Sequence, residues 1–298
     1  MDNGNILDRL LKGDIIVFDG AFGTILLEND LEPGECPDIL NLKNPGRLEE
    51  IASSYADAGA DVIHTGTFSS SPMKLADLGL EDKLEEINRR AVEILKNSVG
   101  EKALISASIG PSGKILLPYG DTPPDLLFDG YKRQIEILYD SGIDFVTIET
   151  MTDINEAIIA VKAAKSVDLR LPVVCTMTFD KIPRGYYTIM GNDVKTVSKE
   201  LENAGADIIG SNCGNGLDIM IEIAEEFLKH TNLPVAIQSN AGKPEFRNGN
   251  IIYPEGADYF AERIKKLVDT GVRIIGGCCG TTPEHIRRIR EIVDSKSK

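Results

Sequence analysis

At 298 residues, with a net charge of −15, 42% hydrophobic and 27% charged residues, the chain has the composition of a soluble globular protein with ample core. The acidic balance argues against a nucleic-acid partner, because phosphate binding rests on clustered Lys and Arg. No apolar stretch approaches the roughly 20 residues that span a bilayer, and Met1-Asp2-Asn3-Gly4-Asn5 lacks the basic start and apolar run of a signal peptide.

The first apolar run, residues 15–18, leads into Asp19-Gly20-Ala21-Phe22-Gly23-Thr24. This is a tight strand-to-helix turn. Its backbone N–H groups suit a carboxylate, and it also reads as an ordinary βα turn. A helical stretch at 48–55 ends in Ala58-Gly59-Ala60-Asp61-Val62-Ile63, a small residue and Gly followed by Asp and an apolar run. The pattern returns as Ser141-Gly142-Ile143-Asp144-Phe145-Val146, Ala204-Gly205-Ala206-Asp207-Ile208-Ile209 and Thr270-Gly271-Val272-Arg273-Ile274-Ile275. Gly just past a helix end is a stop signal, and β-branched runs bounded by turns are buried strands. Runs at 103–108, 172–178 and 234–238 complete the set, with helical periodicity at 194–201 and 257–268. Eight strands alternating with helices predict a single (β/α)8 TIM barrel occupying residues 1–298 as one domain. A doubly wound sheet would show a dinucleotide glycine fingerprint, and none is present.

Catalytic groups of such barrels sit at the C-terminal ends of the strands. Those tails read Thr65-Gly66-Thr67-Phe68, Ser106-Ala107-Ser108, Ile148-Glu149-Thr150, Ser211-Asn212-Cys213, Ser239-Asn240-Ala241-Gly242 and Gly276-Gly277-Cys278-Cys279. Cys213 ends strand six, and the vicinal pair ends strand eight, so three sulfurs point to one rim. Adjacent cysteines do not readily form a relaxed disulfide with each other. Their thiolates can share one soft metal ion, and a third from a distant loop makes a three-sulfur zinc site with an open position. A redox disulfide between Cys213 and one of the pair is the competing reading. Cys36 and Cys175 read as packing, and an odd five cysteines without regular spacing point to a reducing cytoplasm.

Three thiolates leave a divalent ion with a net charge of −1. Such a centre is a poor activator of water and better suited to holding a substrate thiol as thiolate. The chemistry implied is alkyl transfer to sulfur. Glu149, at the end of strand four, is placed to meet a substrate ammonium or a rim Arg or Lys. Among the histidines, His64 reads as core or as support behind the site, His230 as a helix cap, and His285 as a residue of the last helix outside the barrel. The charged run at 81–86 reads as a solvated face.

These residues together resemble the homocysteine S-methyltransferase family from about position 14 to 293, most specifically in Gly276-Gly277-Cys278-Cys279-Gly280-Thr281-Thr282-Pro283. The chain looks more like the homocysteine-binding module of cobalamin-dependent methionine synthases than like the S-methylmethionine-dependent branch. The resemblance implies a Zn2+-dependent barrel that methylates homocysteine to methionine. Cys213, Cys278 and Cys279 match the zinc thiolates and catalytic centre, and Asn240 a position that completes the metal sphere when homocysteine is absent. The backbone of Ala21, Phe22, Gly23 and Thr24 would hold the carboxylate and Glu149 the amino group. Asp19, Gly20, Thr67 and Ser108 fill out the substrate contacts.

Two positions depart from the family pattern. Thr65-Gly66-Thr67-Phe68 stands where Thr-Asn-Thr-Phe is usual, and Gln238-Ser239 precedes Asn240 where Pro-Asn is common. The length leaves no room for folate- or cobalamin-binding domains. The expectation is therefore methylcobalamin carried by a separate domain or corrinoid protein, with the chain either free-standing or part of a longer one, and a homo-oligomer admitted. Alternatives are another thiol acceptor, a betaine or S-methylmethionine donor, or a non-catalytic partner-binding subunit of a corrinoid system.

Overall fold

Strands form where β-branched runs can be buried on both faces, and eight do so here. In the computed structural model, which describes residues 5–29, 31, 35–247 and 250–296, they are β1 (Ile16–Val17), β2 (Val62–His64), β3 (Leu104–Ile109), β4 (Phe145–Met151), β5 (Val173–Met177), β6 (Ile208–Asn212), β7 (Val235–Ser239) and β8 (Ile274–Gly277). Each pairs in parallel with its neighbours in sequence, and β8 pairs with β1. A parallel bridge from Phe18 to Val62 joins β1 to β2 and closes the barrel. This is the (β/α)8 arrangement expected from the spacing. The N-terminal residues 1–4, read above for a signal peptide, lie outside the described residues.

Among the described residues, eight helices of eleven residues or more surround the strands: α1 (Pro45–Asp57), α2 (Leu84–Ser98), α3 (Pro124–Asp140), α4 (Ile154–Val167), α5 (Val194–Ala204), α6 (Leu217–Leu228), α7 (Ala257–Thr270) and α8 (Pro283–Lys296). None among the described residues is long and apolar enough to cross a membrane. The barrel interior is filled rather than open. Phe18, Val62, Leu104, Phe145, Val174, Ile208, Ala236 and Ile274 pack inside it, and Ile6 and Leu10 of a helix spanning Ile6–Leu11 close its lower end. Burying each of those two side chains contributes about 1.5–3 kcal/mol. That plugging helix has only six residues and gave no periodic signal.

The recurring Gly-x-Asp junction has a physical basis on both sides. Gly59, Gly142, Gly205 and Gly271 all have φ between 87° and 102°, the left-handed region that ends a helix. The Asp that follows reaches back to the neighbouring strand. Asp61 accepts from Val17 N (2.7 Å), Asp144 from Ile105 N (2.6 Å) and Asp207 from Val173 N (2.8 Å). Arg9 and Arg290 add to Asp61, and Lys165 adds to Asp207. In the fourth copy Arg273 instead donates to Gly13 O at 2.8 Å. Asp144→Ala would orphan the Ile105 N–H and is expected to cost about 1–3 kcal/mol in urea unfolding, with the rim chemistry unaffected; an unchanged midpoint would refute the latch.

The sequence-based reading did not anticipate two hairpins on the upper rim. Asp180–Ile182 pairs with Gly185–Tyr187 in the β5–α5 loop, and Glu245–Arg247 pairs with Asn250–Ile252 in the β7–α7 loop. Three-residue strands are too short to register as apolar runs.

Candidate active site

The ends of β6 and β8 bring the three cysteines together. Their sulfurs lie within 4.8 Å of one another, and Cys213 Sγ is 3.9 Å from Cys279 Sγ. Sulfurs held tetrahedrally at about 2.3 Å from zinc stand about 3.8 Å apart, so the cluster has the size of a zinc site. Its backbone is pinned on both sides: Cys213 N donates to Gln238 O (3.1 Å), Cys278 N to Ser239 O (2.7 Å), and Ala241 N to Cys279 O (2.9 Å). Cys213 has φ of 60°, a strained setting for a residue with a side chain.

The charge of the cluster follows from its crowding. Hydrogen bonds from Cys278 and Cys279, helped by Asn240, hold the Cys213 thiol well below its ordinary value. Cys278 and Cys279 are pushed up, chiefly by their bonds to Cys213 and by burial. Without a metal, the crowding thus favours charge on Cys213 and protons on its two neighbours. A dication would supply the charge that releases the other protons. Asn240 is buried beside Cys213, and its Oδ1 has no partner among the described residues. Three sulfurs at this spacing fit a soft dication such as zinc.

The turn after β1 is joined to the cysteine turn. Ala21 N donates to Thr281 Oγ1 (3.2 Å), Gly280 N to Thr24 Oγ1 (3.2 Å), and Tyr55 OH to Ala21 O (2.9 Å). A Cβ at Gly20 would lie 2.7 Å from Thr281 Oγ1 and 2.8 Å from Tyr55 OH, so only glycine permits this approach. Gly280 has φ of +79°, and a Cβ there would lie 2.1 Å from Tyr253 Cγ. The Tyr253 phenol in turn hydrogen-bonds Cys279. Gly280→Ala is therefore expected to lose at least about 1–3 kcal/mol and to displace Tyr253. The thermal midpoint and the retention of added zinc would both fall, and an unchanged pair would contradict this packing.

A cavity of about 250 Å³ opens beside the sulfurs. Asp19, Gly20, Ala21, Phe22, Gly23, Thr24, Ser108, Glu149 and the three cysteines line it. Several of the expected contacts behave differently from their simple reading. Both Asp19 oxygens are taken by His64, at 2.8 Å from its backbone N and 2.6 Å from Nδ1, so Asp19 acts through the wall. The Ala21 N–H is spent on Thr281, leaving the rest of the turn to face the cavity. Thr67 does not line it: its hydroxyl donates to Ser108 O (2.8 Å) beneath the surface. Asn240 also lies outside the cavity lining.

Glu149 accepts from Ser108 Oγ at 2.6 Å and has no Arg or Lys ion pair among the described residues. Burial raises its pKa, opposed by the charge of His64 and the Ser108 bond. For His64, burial lowers the pKa, but the Asp19 charge and hydrogen bond outweigh it and the net direction is up. His64 thus supports the site from behind. His285, expected outside the barrel, is buried: it receives Thr282 N on Nδ1 (3.1 Å), and its Nε2 lies 2.9 Å from Glu255 O. This ties the β8–α8 and β7–α7 loops together. His230 lies past the end of α6 and pairs with Glu226.

Asn212, beside Cys213 at the end of β6, organises the floor of the site. Its Oδ1 accepts from Thr150 N (2.7 Å) and Thr176 Oγ1 (2.8 Å), and its Nδ2 donates to Thr150 Oγ1 (2.8 Å). These bonds hold Thr150 at φ of 59°, another strained position, directly after Glu149. Its only sequence signal was adjacency to Cys213.

Residues 16–293 match the family model described as homocysteine S-methyltransferase. The chain is 31% identical over 296 residues to the methionine synthase of Mycobacterium leprae and 30% identical over 306 residues to that of Mycobacterium tuberculosis. These matches cover 94% and 97% of this chain but only 24% and 25% of those proteins, so the chain spans about a quarter of their length. Among solved structures, the metallated homocysteine methyltransferase MmuM of Escherichia coli superposes with a TM-score of 0.78 over 97% of this chain and 99% of that one, at 21% identity. A methyltransferase from Methanosarcina mazei gives 0.65 at 12% identity, covering 98% of each chain. At these identities the structural matches speak to the fold.

Proposed function

The chain belongs to the homocysteine S-methyltransferase family, and on that premise we propose that it transfers a methyl group to the thiol of homocysteine, giving methionine, at a zinc ion held by Cys213, Cys278 and Cys279. The observation that carries this is the convergence of three sulfurs, from two strand ends far apart in sequence, on one end of a cavity that also holds a half-buried carboxylate, Glu149, with no Arg or Lys ion pair among the described residues. Residues 14–293 act as one homocysteine-binding unit in this reading.

Zinc supplies coordination of the substrate sulfur as thiolate at neutral pH. The chain's own residues do the rest. Glu149 binds the substrate ammonium, with Ser108 fixing the rotamer of its carboxylate. The turn from Gly20 to Thr24 receives the carboxylate end. Tyr253 and Asn240 hydrogen-bond the cysteine sulfurs and orient them. His64 and Asp19 lock β1 to β2 under the cavity, and Phe22 and Phe68 help to exclude water from it.

The donor is proposed to be methylcobalamin on a separate domain or corrinoid protein, consistent with the likeness to proteins about four times as long. The test is zinc analysis combined with methyl transfer to homocysteine from methylcobalamin, betaine and S-methylmethionine in parallel. Zinc at one per chain with turnover from methylcobalamin supports the reading, and a metal-free, fully active protein refutes it. Gly66, which leaves the β2 tail without a side chain at the cavity wall, favours a second reading in which another small thiol is the acceptor. A thiol panel showing no preference for homocysteine would select it.

A further inference from the structure

Three carboxyl groups line the cavity, Asp19, Asp38 and Glu149, and among the described residues no Lys or Arg does so. The only basic side chain lining it is His64. The substrate proposed above brings a further carboxylate, and it needs Glu149 ionised to meet its ammonium group. The compensating positive charge therefore has one place to reside on the protein.

The imidazole of His64 is held at both nitrogens. Nδ1 lies 2.6 Å from Asp19 Oδ1, and Nε2 lies 3.2 Å from Thr147 Oγ1. The Phe18 ring stands edge-on against it, with 5.1 Å between centroids. β3 and β4 then form two polar rungs. Thr147 Oγ1 meets Ser106 Oγ (2.7 Å), and two residues further along each strand Glu149 accepts from Ser108 Oγ (2.6 Å). Alternate residues of a strand share a face, so Glu149 stands one pleat, about 7 Å, beyond the side chain that His64 touches. Phe18, Ser106 and Thr147 are all fully buried, and a charge among them is screened far less than in water. Burial disfavours a charged imidazole, yet the Asp19 charge and hydrogen bond outweigh it and Glu149 adds to them, so His64 holds its proton more tightly than usual.

We propose that His64 is a positioning residue: as an imidazolium bound to Asp19, it supplies the positive charge that keeps Glu149 ionised to receive the ammonium group of the acceptor. This rests on the reading of the acceptor as an amino-acid thiol. Every charged group facing Glu149 enters the balance. Desolvation raises its pKa most, His64 and the Ser108 bond oppose that, and Asp19 and Cys213 add smaller upward pushes. Within the pair, His64 thus acts on Glu149 more strongly than Asp19 does. Asp38, pushed up to about 7 chiefly by burial, shares the cavity.

The experiment measures dissociation constants by calorimetry on the zinc-loaded protein from pH 5 to 9, for homocysteine and for its des-amino counterpart 4-sulfanylbutanoate. The ratio of the two cancels ionisation of the thiol at the metal and isolates the ammonium contact. In unsubstituted protein the preference for homocysteine is expected to fall as pH drops and Glu149 takes up a proton. His64→Gln keeps a donor for Asp19 without the charge, and it should move that fall to higher pH by about one unit. Asp38 is present in both proteins, so its titration drops out of the comparison. A fall at unchanged pH, or equal weakening of both thiols at every pH, marks a structural role and overturns the proposal. A second measurement needs no variant. The chain has three histidines, and long-range 1H–15N spectra of histidine-labelled protein read the charge of each, with His64 assigned through its contact to the Phe18 ring. An imidazolium is expected there at neutral pH. A neutral His64 overturns the proposal while leaving the function standing. Binding of neither thiol by unsubstituted protein overturns the function and this inference with it.

Discussion

Cys278→Ser is expected to lose bound zinc and to lower methyl transfer to homocysteine by more than about 10³-fold, the scale seen when a member of an interdependent catalytic set is removed. A serine hydroxyl stays protonated where a thiol ionises, so it cannot replace a soft anionic ligand. The Cys278 sulfur lies within 4.8 Å of both others and is approached by Asn212 Nδ2 at 4.0 Å. The turn itself should survive the change. Its bonds run through the Cys278 carbonyl, which accepts Thr281 N (3.1 Å) and Thr281 Oγ1 (2.7 Å) and does not depend on the side chain. Metal content by elemental analysis, circular dichroism and turnover together check this outcome. Cys175→Ser is the control: that thiol is buried in the middle of β5, so stability should fall while zinc content stays. Full activity in metal-free Cys278→Ser protein would end the zinc reading.

Glu149→Gln is expected to weaken homocysteine by roughly 30- to 150-fold, about 2–3 kcal/mol, the range for a hydrogen bond to a charged group. The same change should stabilise the free protein. Its carboxylate is half-buried without an Arg or Lys partner among the described residues, and desolvation is the main cause of its raised pKa. The sign of the pH effect follows. A carboxyl whose pKa is higher folded than unfolded contributes stability below the ordinary value of 4.5, and that contribution is lost as pH rises through the folded value. The unsubstituted protein should therefore lose stability across that window relative to Glu149→Gln, and homocysteine, by bringing an ammonium, should restore it. Thermal melts from pH 4 to 8, with and without the thiol, read both effects. A Gln variant that binds homocysteine normally would assign the ammonium elsewhere.

Much of this molecule was legible from periodicity and punctuation. Three Gly-x-Asp junctions and one Gly-x-Arg junction predicted four strands, and the structure supplies the reason: glycine ends the helix in a left-handed turn, and in the three aspartate copies the side chain takes a backbone N–H of the preceding strand. The (β/α)8 closure followed from counting. The gathering of Cys213, Cys278 and Cys279 followed from the rule that strand ends share a rim. What remained hidden was local or non-periodic. The plug at Ile6–Leu11 and the two rim hairpins are too short to carry a pattern. His285 was expected outside the barrel, and its position in the first turn of α8 buries it against the β7–α7 loop.

The sequence by itself determined the sheet order and which strand ends carry sulfur, because those depend on residue spacing and on backbone rules that act over a few residues. Only the tertiary structure decided which polar atoms are spent and which are free. Asp19 is consumed by His64 and Thr67 by Ser108, while Glu149, Asn240 and Asn41 keep oxygens that no described partner satisfies. Hydrogen-bond saturation depends on atoms brought together from distant segments within a few tenths of an ångström, and no spacing along a chain encodes that distance.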